Sequence, residues 1–120
     1  MNKRERGSAY ETRAARFLCD NGIKILERNF RCRSGEIDII GSEGNTLVFF
    51  EVKYRRSNSF GTASEAVDSK KQSVICAVSD FYRIGHRQFE NFYVRYDVIA
   101  VNDEKLSWIK DAFPYVGKGF

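Results

Sequence analysis

The sequence predicts a single α/β domain, residues 1–120, with a mixed central sheet and the element order α-β-β-β-α-β. Three observations predict it: two segments with helical spacing of apolar residues, several with strand alternation, and one glycine-rich connection between strands. The sheet must be mixed because the second helix crosses over into a sheet that already contains a hairpin. The chain has 120 residues, 42% of them hydrophobic and 30% charged, which suits one globular core.

Two segments carry the helical pattern. The first covers residues 8–21 and is followed by Gly22 as a stop signal. Its apolar residues at helical spacing are Tyr10, Ala14, Phe17 and Leu18. The second runs from about Ser64 to Ile84, and Gly85 closes it. Its apolar residues at helical spacing are Val67, Val74, Ile75, Val78, Phe81 and Tyr82.

The remaining segments favour strands. Residues 23–30 form the first strand, and residues 35–55 contain the next two, joined by GSEGN, whose glycines and asparagine suit a hairpin turn. SNSFGT, residues 57–62, is a loop. Residues 91–102 alternate as a strand, and residues 105–113 form a short strand or a turn before an aromatic tail.

Several classes of protein are excluded by simple features. No apolar stretch approaches the roughly 18 residues that span a bilayer, and the first residues contain no apolar signal region. Cys19, Cys32 and Cys76 are odd in number and lack CxxC spacing, which argues against a disulfide or a zinc site. We therefore expect free thiols in a cytoplasmic protein that does not associate with membranes.

The charge is unevenly distributed along the chain. The net charge is +4, and residues 1–60 contain 12 Lys and Arg against 8 Asp and Glu, whereas residues 61–120 contain 8 against 8. The whole excess of positive charge therefore lies in the first half, beside the acidic strands. A weakly basic surface and a phosphate-rich partner both explain this, and charge alone leaves the two open.

Carboxylates recur on the two strands of the predicted hairpin. Residues two apart in a strand share a face, so Glu36 and Asp38 point one way while Ile37 and Ile39 point the other. The same rule places Glu51 and Lys53 together on the following strand.

The register of the hairpin decides whether these acids meet. If the turn lies at residues 43–44 without a bulge, Asp38 faces Phe49 and Glu36 faces Glu51. All three acids then occupy one face of the sheet. One pair of like charges at about 4 Å costs on the order of 4 kcal/mol at an effective dielectric of about 20. Stability alone does not explain such a cluster.

A divalent cation would explain the cluster. Mg²⁺ favours one or two carboxylates together with water and phosphate oxygens. Lys53 lies about 7 Å along the strand from Glu51, since each residue rises by roughly 3.3 Å, and can meet a phosphate or a water there. The alternative is a solvated strand face on which Glu51 simply pairs with Lys53.

The motifs GEIDII, LVFFEVKYR, FGTASEAVDSKKQ and VRYDVIAV resemble the YraN family of small bacterial proteins. The resemblance extends from about Gly7 to Phe113. That family is placed in the restriction-endonuclease-like superfamily with the PD-(D/E)xK signature, and its nearest enzymatic relatives look like archaeal Holliday junction resolvases. The resemblance implies a restriction-endonuclease-like core. Asp38 is preceded here by Ile37 instead of the proline of that signature.

The resemblance also implies roles for individual residues. Asp38, Glu51 and the backbone carbonyl of Val52 would hold Mg²⁺ or Mn²⁺, and Lys53 would orient or activate the attacking water. Glu11 would be an outer ligand of the metal or its water. An exposed helix acid pairing with Arg4 or Arg16 is the alternative for Glu11. Glu36 would support the site from its rim.

Other residues carry weaker expectations. The basic residues expected to contact nucleic acid are Arg55, Arg56, Lys70 and Lys71, and a solvated helix end is the alternative for the two lysines. Arg95 and Asp97 share a strand face and can pair with each other, and His86 is expected in a loop. The aromatic residues expected in the core are Phe60, Tyr82, Trp108 and Phe113.

The function expected from these features is hydrolysis of phosphodiester bonds in DNA, including branched or structured DNA, by a Mg²⁺- or Mn²⁺-dependent nuclease. The resolvase-like relatives further suggest a homodimer. A non-catalytic nucleic-acid-binding module with the same fold is the main alternative, and a protein-interaction adaptor is a third. Catalytic activity, the choice of DNA or RNA, and the endonuclease or exonuclease mode stay open.

Overall fold

The computed structural model describes residues 2–56 and 67–117. Within these residues, a five-stranded sheet lies between two helices, and its strands follow one another in chain order. The elements are α1 (Lys3–Asp20), β1 (Lys24–Cys32), β2 (Gly35–Glu43), β3 (Thr46–Tyr54), α2 (Ser69–Gly85), a 3₁₀ turn (Arg87–Phe89), β4 (Tyr93–Val101) and β5 (Leu106–Ile109). Neighbouring strands are antiparallel except β3 and β4, which are parallel. The mixed α/β sheet with an α-β-β-β-α-β core is thus confirmed, and β5 extends it.

Both helices begin at side-chain caps that the apolar spacing did not indicate. Asn2 accepts a hydrogen bond from the Glu5 backbone N–H at 2.8 Å, and the Glu5 carboxylate accepts one from the Asn2 N–H. The first helix therefore starts several residues before residue 8. Asp68 caps the second helix by accepting from the Lys71 N–H at 2.8 Å. Val67 is buried but precedes that helix, so the predicted start near Ser64 is too early.

Each face of the sheet packs against one helix. The buried residues on the α2 face include Ile37, Ile40, Phe49, Ile75, Val78, Tyr82, Tyr96 and Phe113. Those on the α1 face are Ala14, Ala15, Leu18, Ile23, Ile39, Val48, Phe50 and Ile99. Tyr82 and Phe113 are core residues as predicted, and Trp108 is half-buried against the α1 face. The loop at residues 57–62, Phe60 and residues 64–66 lie outside the described residues.

The turn between β2 and β3 differs from the predicted one. Glu43 pairs with Thr46, so the turn consists of Gly44 and Asn45, and Gly44 has a φ of 57°. Glycine at the first position of a two-residue hairpin turn permits this positive φ. The partner of Phe49 is Ile40 and not Asp38, which shifts the predicted register by two residues.

The regular alternation of side chains between the two faces of the sheet is interrupted in β2 at Asp38. Ile37 packs on the α2 face and Ile39 on the α1 face, although regular alternation would place both together. The prediction that these isoleucines share a face is therefore wrong. Opposite Asp38 in β1 lies Asn29, whose φ of 54° interrupts regular strand geometry. At the start of β2, Gly35 permits the close approach to α2, because a Cβ there would lie 2.7 Å from a methyl of Val74.

Two further predictions concern the chain as a whole. Cys19, Cys32 and Cys76 are free thiols, as expected. Across residues 2–56 and 67–117, neither helix is long and apolar enough to cross a bilayer.

Candidate functional site

The candidate site lies where β2 separates from β3. Backbone pairing between the two strands ends at Ile39 and Phe50, whereas β3 stays paired with β4 as far as Tyr54. Beyond that point Asp38 Oδ2 accepts a hydrogen bond from the Val52 backbone N–H at 2.8 Å. The Asp38 carboxylate thus replaces the next backbone hydrogen bond between the strands, and polar side chains line the gap between them.

Glu51 enters this gap from β3 and is largely withdrawn from water. Its relative exposure is 9%, and Lys71 Nζ of α2 lies 3.5 Å from its Oε2. Burial and the neighbouring Asp38 raise the pKa of Glu51 to about 8, while Lys71 and Lys53 act in the opposite direction. The two carboxyl groups therefore resist being charged together.

Glu11 and Asn29 reach the gap from the side of α1. With its amide oriented to satisfy both groups, Asn29 donates to Glu11 Oε1 at 2.8 Å and to Glu36 Oε1 at 3.0 Å. Burial first and then Asp38 raise the pKa of Glu11, and Arg28 opposes them. Glu11 therefore belongs to the same electrostatic cluster as Asp38, and its neighbours are not the predicted Arg4 or Arg16.

The acids do not share one face of the sheet, contrary to the register predicted from the sequence. Glu36 is held by Asn29 and by Arg31, whose Nε lies 3.2 Å from its carboxylate. Glu51 instead meets Lys71 on the side of α2. Asp38 lies between them, because β2 changes its facing direction at this residue. The cluster thus passes through the opening between β2 and β3.

The predicted basic residues divide into two groups. The positive charges of Lys71 and Lys53 lower the pKa of Glu51, so we assign both lysines to the site. Lys70 is exposed beside Lys71 at the start of α2. Arg55 donates its backbone N–H to the Val101 carbonyl at 2.9 Å, and the Arg56 side chain is exposed. These two arginines follow the site at the end of β3.

One residue and one contact of the site were not predicted from the sequence. Asn29 was not singled out, although asparagine is rare in strands and tolerates positive φ, which is the signal that would have indicated it. The contact of Lys71 with Glu51 joins residues 20 apart in the sequence and depends on how α2 packs on the sheet. No local pattern indicates it.

Other polar groups have structural partners away from the gap. Arg95 Nε lies 2.9 Å from Asp97, and Asp97 also accepts from the Trp108 indole N–H and the Asp111 backbone N–H at 2.9 Å each. The predicted pairing is therefore confirmed. His86 lies just after α2 as predicted, with its ring stacked on Tyr82 at a centroid distance of 3.8 Å.

The donor set at the gap consists of oxygen atoms. Across the described residues, no cluster of three or more His, Cys, Asp or Glu side chains is arranged to hold a metal ion. A cation would therefore be held by the Asp38 and Glu51 carboxylates with backbone, water or substrate oxygens completing its shell. Such a set suits Mg²⁺ or Mn²⁺ and does not suit zinc.

Comparison with known proteins gives consistent results. A family model described as "Uncharacterised protein family UPF0102" matches residues 10–101. A UPF0102 protein of Caldicellulosiruptor saccharolyticus is 48% identical over 101 residues, covering 84% of this chain and 85% of the relative. A UPF0102 protein of Lachnoclostridium phytofermentans is 42% identical over 117 residues, covering 98% and 99%. One from Fusobacterium nucleatum is 39% identical over 111 residues, covering 92% of each. The chain therefore belongs to the UPF0102 family, the YraN family that its motifs indicated.

Proposed function

We propose that this protein is a metal-dependent nuclease that hydrolyses phosphodiester bonds in DNA, with branched or structured DNA as its substrate. The observation that carries the proposal is the convergence of Asp38 and Glu51 at the opening between β2 and β3. Glu51 is 9% exposed and bordered by two lysines. Such crowding of carboxyl groups costs stability, so a function that uses it is the simpler explanation.

The residues at the gap fit a divalent cation of the magnesium type. Asp38 and Glu51 would hold it, together with the Val52 carbonyl that the family resemblance implies. Burial first and then Asp38 raise the pKa of Glu51, so both effects oppose its negative charge, and a bound cation would offset them. When bound, such an ion polarises phosphate oxygens and lowers the pKa of an attacking water.

The protein's own side chains supply the rest of the chemistry. Lys53 shares the face of β3 that carries Glu51, so its ammonium group offsets charge that develops on the phosphate. Lys71 reaches the same carboxylate from α2 and can exchange this partner for a phosphate oxygen. Glu11, whose pKa is raised, can accept a proton from water on the opposite side of the gap. Glu36 and Asn29 position Glu11.

A non-catalytic nucleic-acid-binding module is the second candidate, and one observation favours it. Lys71 already lies 3.5 Å from Glu51, so the protein partly neutralises this carboxylate without a cation. The same lysines and arginines would then bind phosphates without cleaving them. The two candidates differ in turnover that depends on the metal.

The test is incubation with plasmid, linear, single-stranded and four-way-junction DNA in Mg²⁺, Mn²⁺ or EDTA. Glu51→Ala and Lys53→Ala should each lower cleavage by about 100-fold or more, which is the usual loss when one electrostatic stabiliser is removed. Lys24→Ala is the matched control, because Lys24 is an exposed strand lysine at the other end of β1–β2 pairing. Cleavage that persists in both site variants would assign the activity to a contaminant. DNA binding without cleavage would favour the non-catalytic module.

Two further parts of the proposal follow from the substrate. Resolving a branched DNA introduces paired nicks, which requires two sites, so we include a homodimer acting in the cytoplasm. Light scattering with junction DNA bound should give the mass of two chains per junction. A complex with one chain would remove junction resolution from the proposal.

A further inference from the structure

Two tyrosine rings stack beside the candidate site. Tyr10 of α1 and Tyr54 at the end of β3 have centroids 4.8 Å apart and an interplanar angle of 18°. Tyr54 is 42% exposed, so part of this pair faces solvent. Tyr54 shares the α1 face of β3 with Val52, whose backbone N–H donates to Asp38, and Tyr10 precedes Glu11 in α1, so the pair lies on the α1 side of the gap.

The cavity around this pair is basic. It has a volume of about 490 Å³, and apart from the two rings and Gly7 it is lined by Lys3, Arg6, Arg55 and Arg56. Among the described residues that line it, none carries a carboxylate. Asp103 lines the adjoining hollow and accepts a hydrogen bond from the Tyr10 hydroxyl at 2.7 Å. Asp103 thereby holds the Tyr10 ring in place.

Aromatic surface bordered by four cationic side chains suits a ligand with flat rings and repeated negative charges. Nucleic acid has this chemistry, but the bases of a duplex are already stacked on their neighbours. Only unpaired bases offer a free face to a protein ring, and stacking on it is independent of sequence. Phosphates of the same strand would lie within reach of Lys3, Arg6 and Arg56.

Another exposed tyrosine provides a comparison within the same sheet. Tyr93 is 71% exposed, more than Tyr54, but it lies at the start of β4, opposite Thr46. That is the end of β3 farthest from Tyr54. Exposure of an aromatic ring is therefore not enough to indicate a ligand. What distinguishes Tyr54 is the second ring behind it and the basic lining of the cavity.

We propose that the groove formed by Tyr10, Tyr54 and the four basic residues binds an unpaired nucleic-acid strand and leads it to the acids of the gap. One base stacks on the exposed surface of the tyrosine pair while the neighbouring phosphates contact the cationic side chains. Because it specifies the substrate form at the same site, this inference rests on the proposed nuclease function. The preferred substrates are then single strands, flaps or unpaired arms at a junction.

The test measures binding without cleavage. Fluorescence anisotropy in EDTA compares a short labelled oligo(dT) with a blunt duplex of the same length. Tyr54→Leu keeps an apolar side chain but removes the ring, and it should weaken oligo(dT) binding by roughly 5- to 100-fold while changing duplex binding little. Tyr54→Phe keeps the ring and should bind like the wild type. Tyr93→Leu is the matched control and should also be unchanged.

Two outcomes would overturn the inference. One is wild-type oligo(dT) affinity in Tyr54→Leu, and the other is an equal loss for oligo(dT) and duplex. The nuclease proposal is judged separately by cleavage in Lys53→Ala. Cleavage that depends on Lys53, combined with normal oligo(dT) binding by Tyr54→Leu, would retain the nuclease and remove the groove. Binding that depends on Tyr54, without cleavage of any substrate, would retain the groove and remove the nuclease.

Discussion

The two halves of the β2–β3 hairpin differ in pairing and in what fills them. In the closed half, residues 39–43 pair with residues 46–50 without interruption. The buried apolar side chains of this half include Ile39, Ile40, Phe49 and Phe50. In the open half, residues 35–38 and 51–54 no longer pair, and acids occupy the space. Strand β3 is paired with β4 throughout, and β2 stays paired with β1 as far as Gly35, so β1 and β2 separate together from β3.

This difference separates stability from function within one hairpin. The closed half buries apolar area, which stabilises the fold. The open half gathers carboxyl groups whose mutual repulsion destabilises it. Changes in the two halves should therefore have effects of different size and opposite sign, and the following predictions are ordered from the largest effect to the smallest.

Removing a large side chain from the closed half should have the largest effect. Phe49 is 1% exposed and stacks on Tyr96 at a centroid distance of 5.7 Å. Phe49→Ala should lower the free energy of unfolding by about 3–5 kcal/mol in urea denaturation, because it leaves a cavity. Glu36→Gln in the open half should change it by less than about 1 kcal/mol, since its partner Arg31 is exposed. Similar losses in both variants would abolish the distinction between the halves.

Adding a divalent cation should stabilise the protein through the acids of the open half. At a hundredfold excess of Mg²⁺ over Kd, the wild type should gain about 2.7 kcal/mol. Asp38→Asn should respond little to Mg²⁺, because it lacks one charged ligand. In EDTA the same variant should be about 1–2 kcal/mol more stable than the wild type, because a like charge is removed. Melting temperatures with and without Mg²⁺ measure both effects.

The matched control for this experiment is an acid of the closed half. Glu43 lies in the same strand as Asp38 and pairs with Arg95 at 3.4 Å. Glu43→Gln should keep the full response to Mg²⁺. Equal responses of Asp38→Asn and the wild type would exclude the proposed metal site.

The pH dependence of stability should reveal the buried carboxyl group. Burial raises the pKa of Glu51 from its ordinary value of 4.5 to about 8. The folded state therefore binds this proton more tightly, and stability falls as the pH rises from about 4.5 through about 8. Relative to Glu51→Gln, the wild type should lose about 2 kcal/mol across this window, less than the full shift implies because Glu51 interacts strongly with the charged groups around it.

Urea denaturation at pH 5 and pH 8 measures this difference, with Glu43→Gln as the control that should follow the wild type. Wild type and Glu51→Gln curves that remain parallel over the whole window would contradict the assignment of the buried charge to Glu51.

The backbone of Asn29 should give the smallest effect. Its φ of 54° is costly for residues with a Cβ other than asparagine and aspartate, and glycine adopts it freely. Asn29→Ala should therefore be about 1 kcal/mol less stable than Asn29→Gly, although both lose the hydrogen bonds to Glu11 and Glu36. Thermal melting compares the two variants directly. Equal melting temperatures would show that the irregularity of β1 carries no strain.

Features that depend on nearby residues were available from the sequence. Helical spacing predicted both helices, alternation predicted the strands, and GSEGN predicted the hairpin. The motifs GEIDII and FFEVK indicated the family and selected Asp38, Glu51 and Lys53. The predictions of the helices, the strands and the hairpin succeeded because a helix or strand is specified by a period that a short window of residues contains. The starts of the helices were missed because caps depend on one or two polar residues outside the apolar pattern.

Features that depend on distant residues were decided only by the tertiary structure. The turn at Gly44 set the register, and Ile37 and Ile39 pack in the cores on opposite faces of the sheet. The contact of Lys71 with Glu51 and the stacking of Tyr10 on Tyr54 join separate elements. Their geometry follows from how helices seat on a twisted sheet, where many weak contacts act together and no single segment specifies the result.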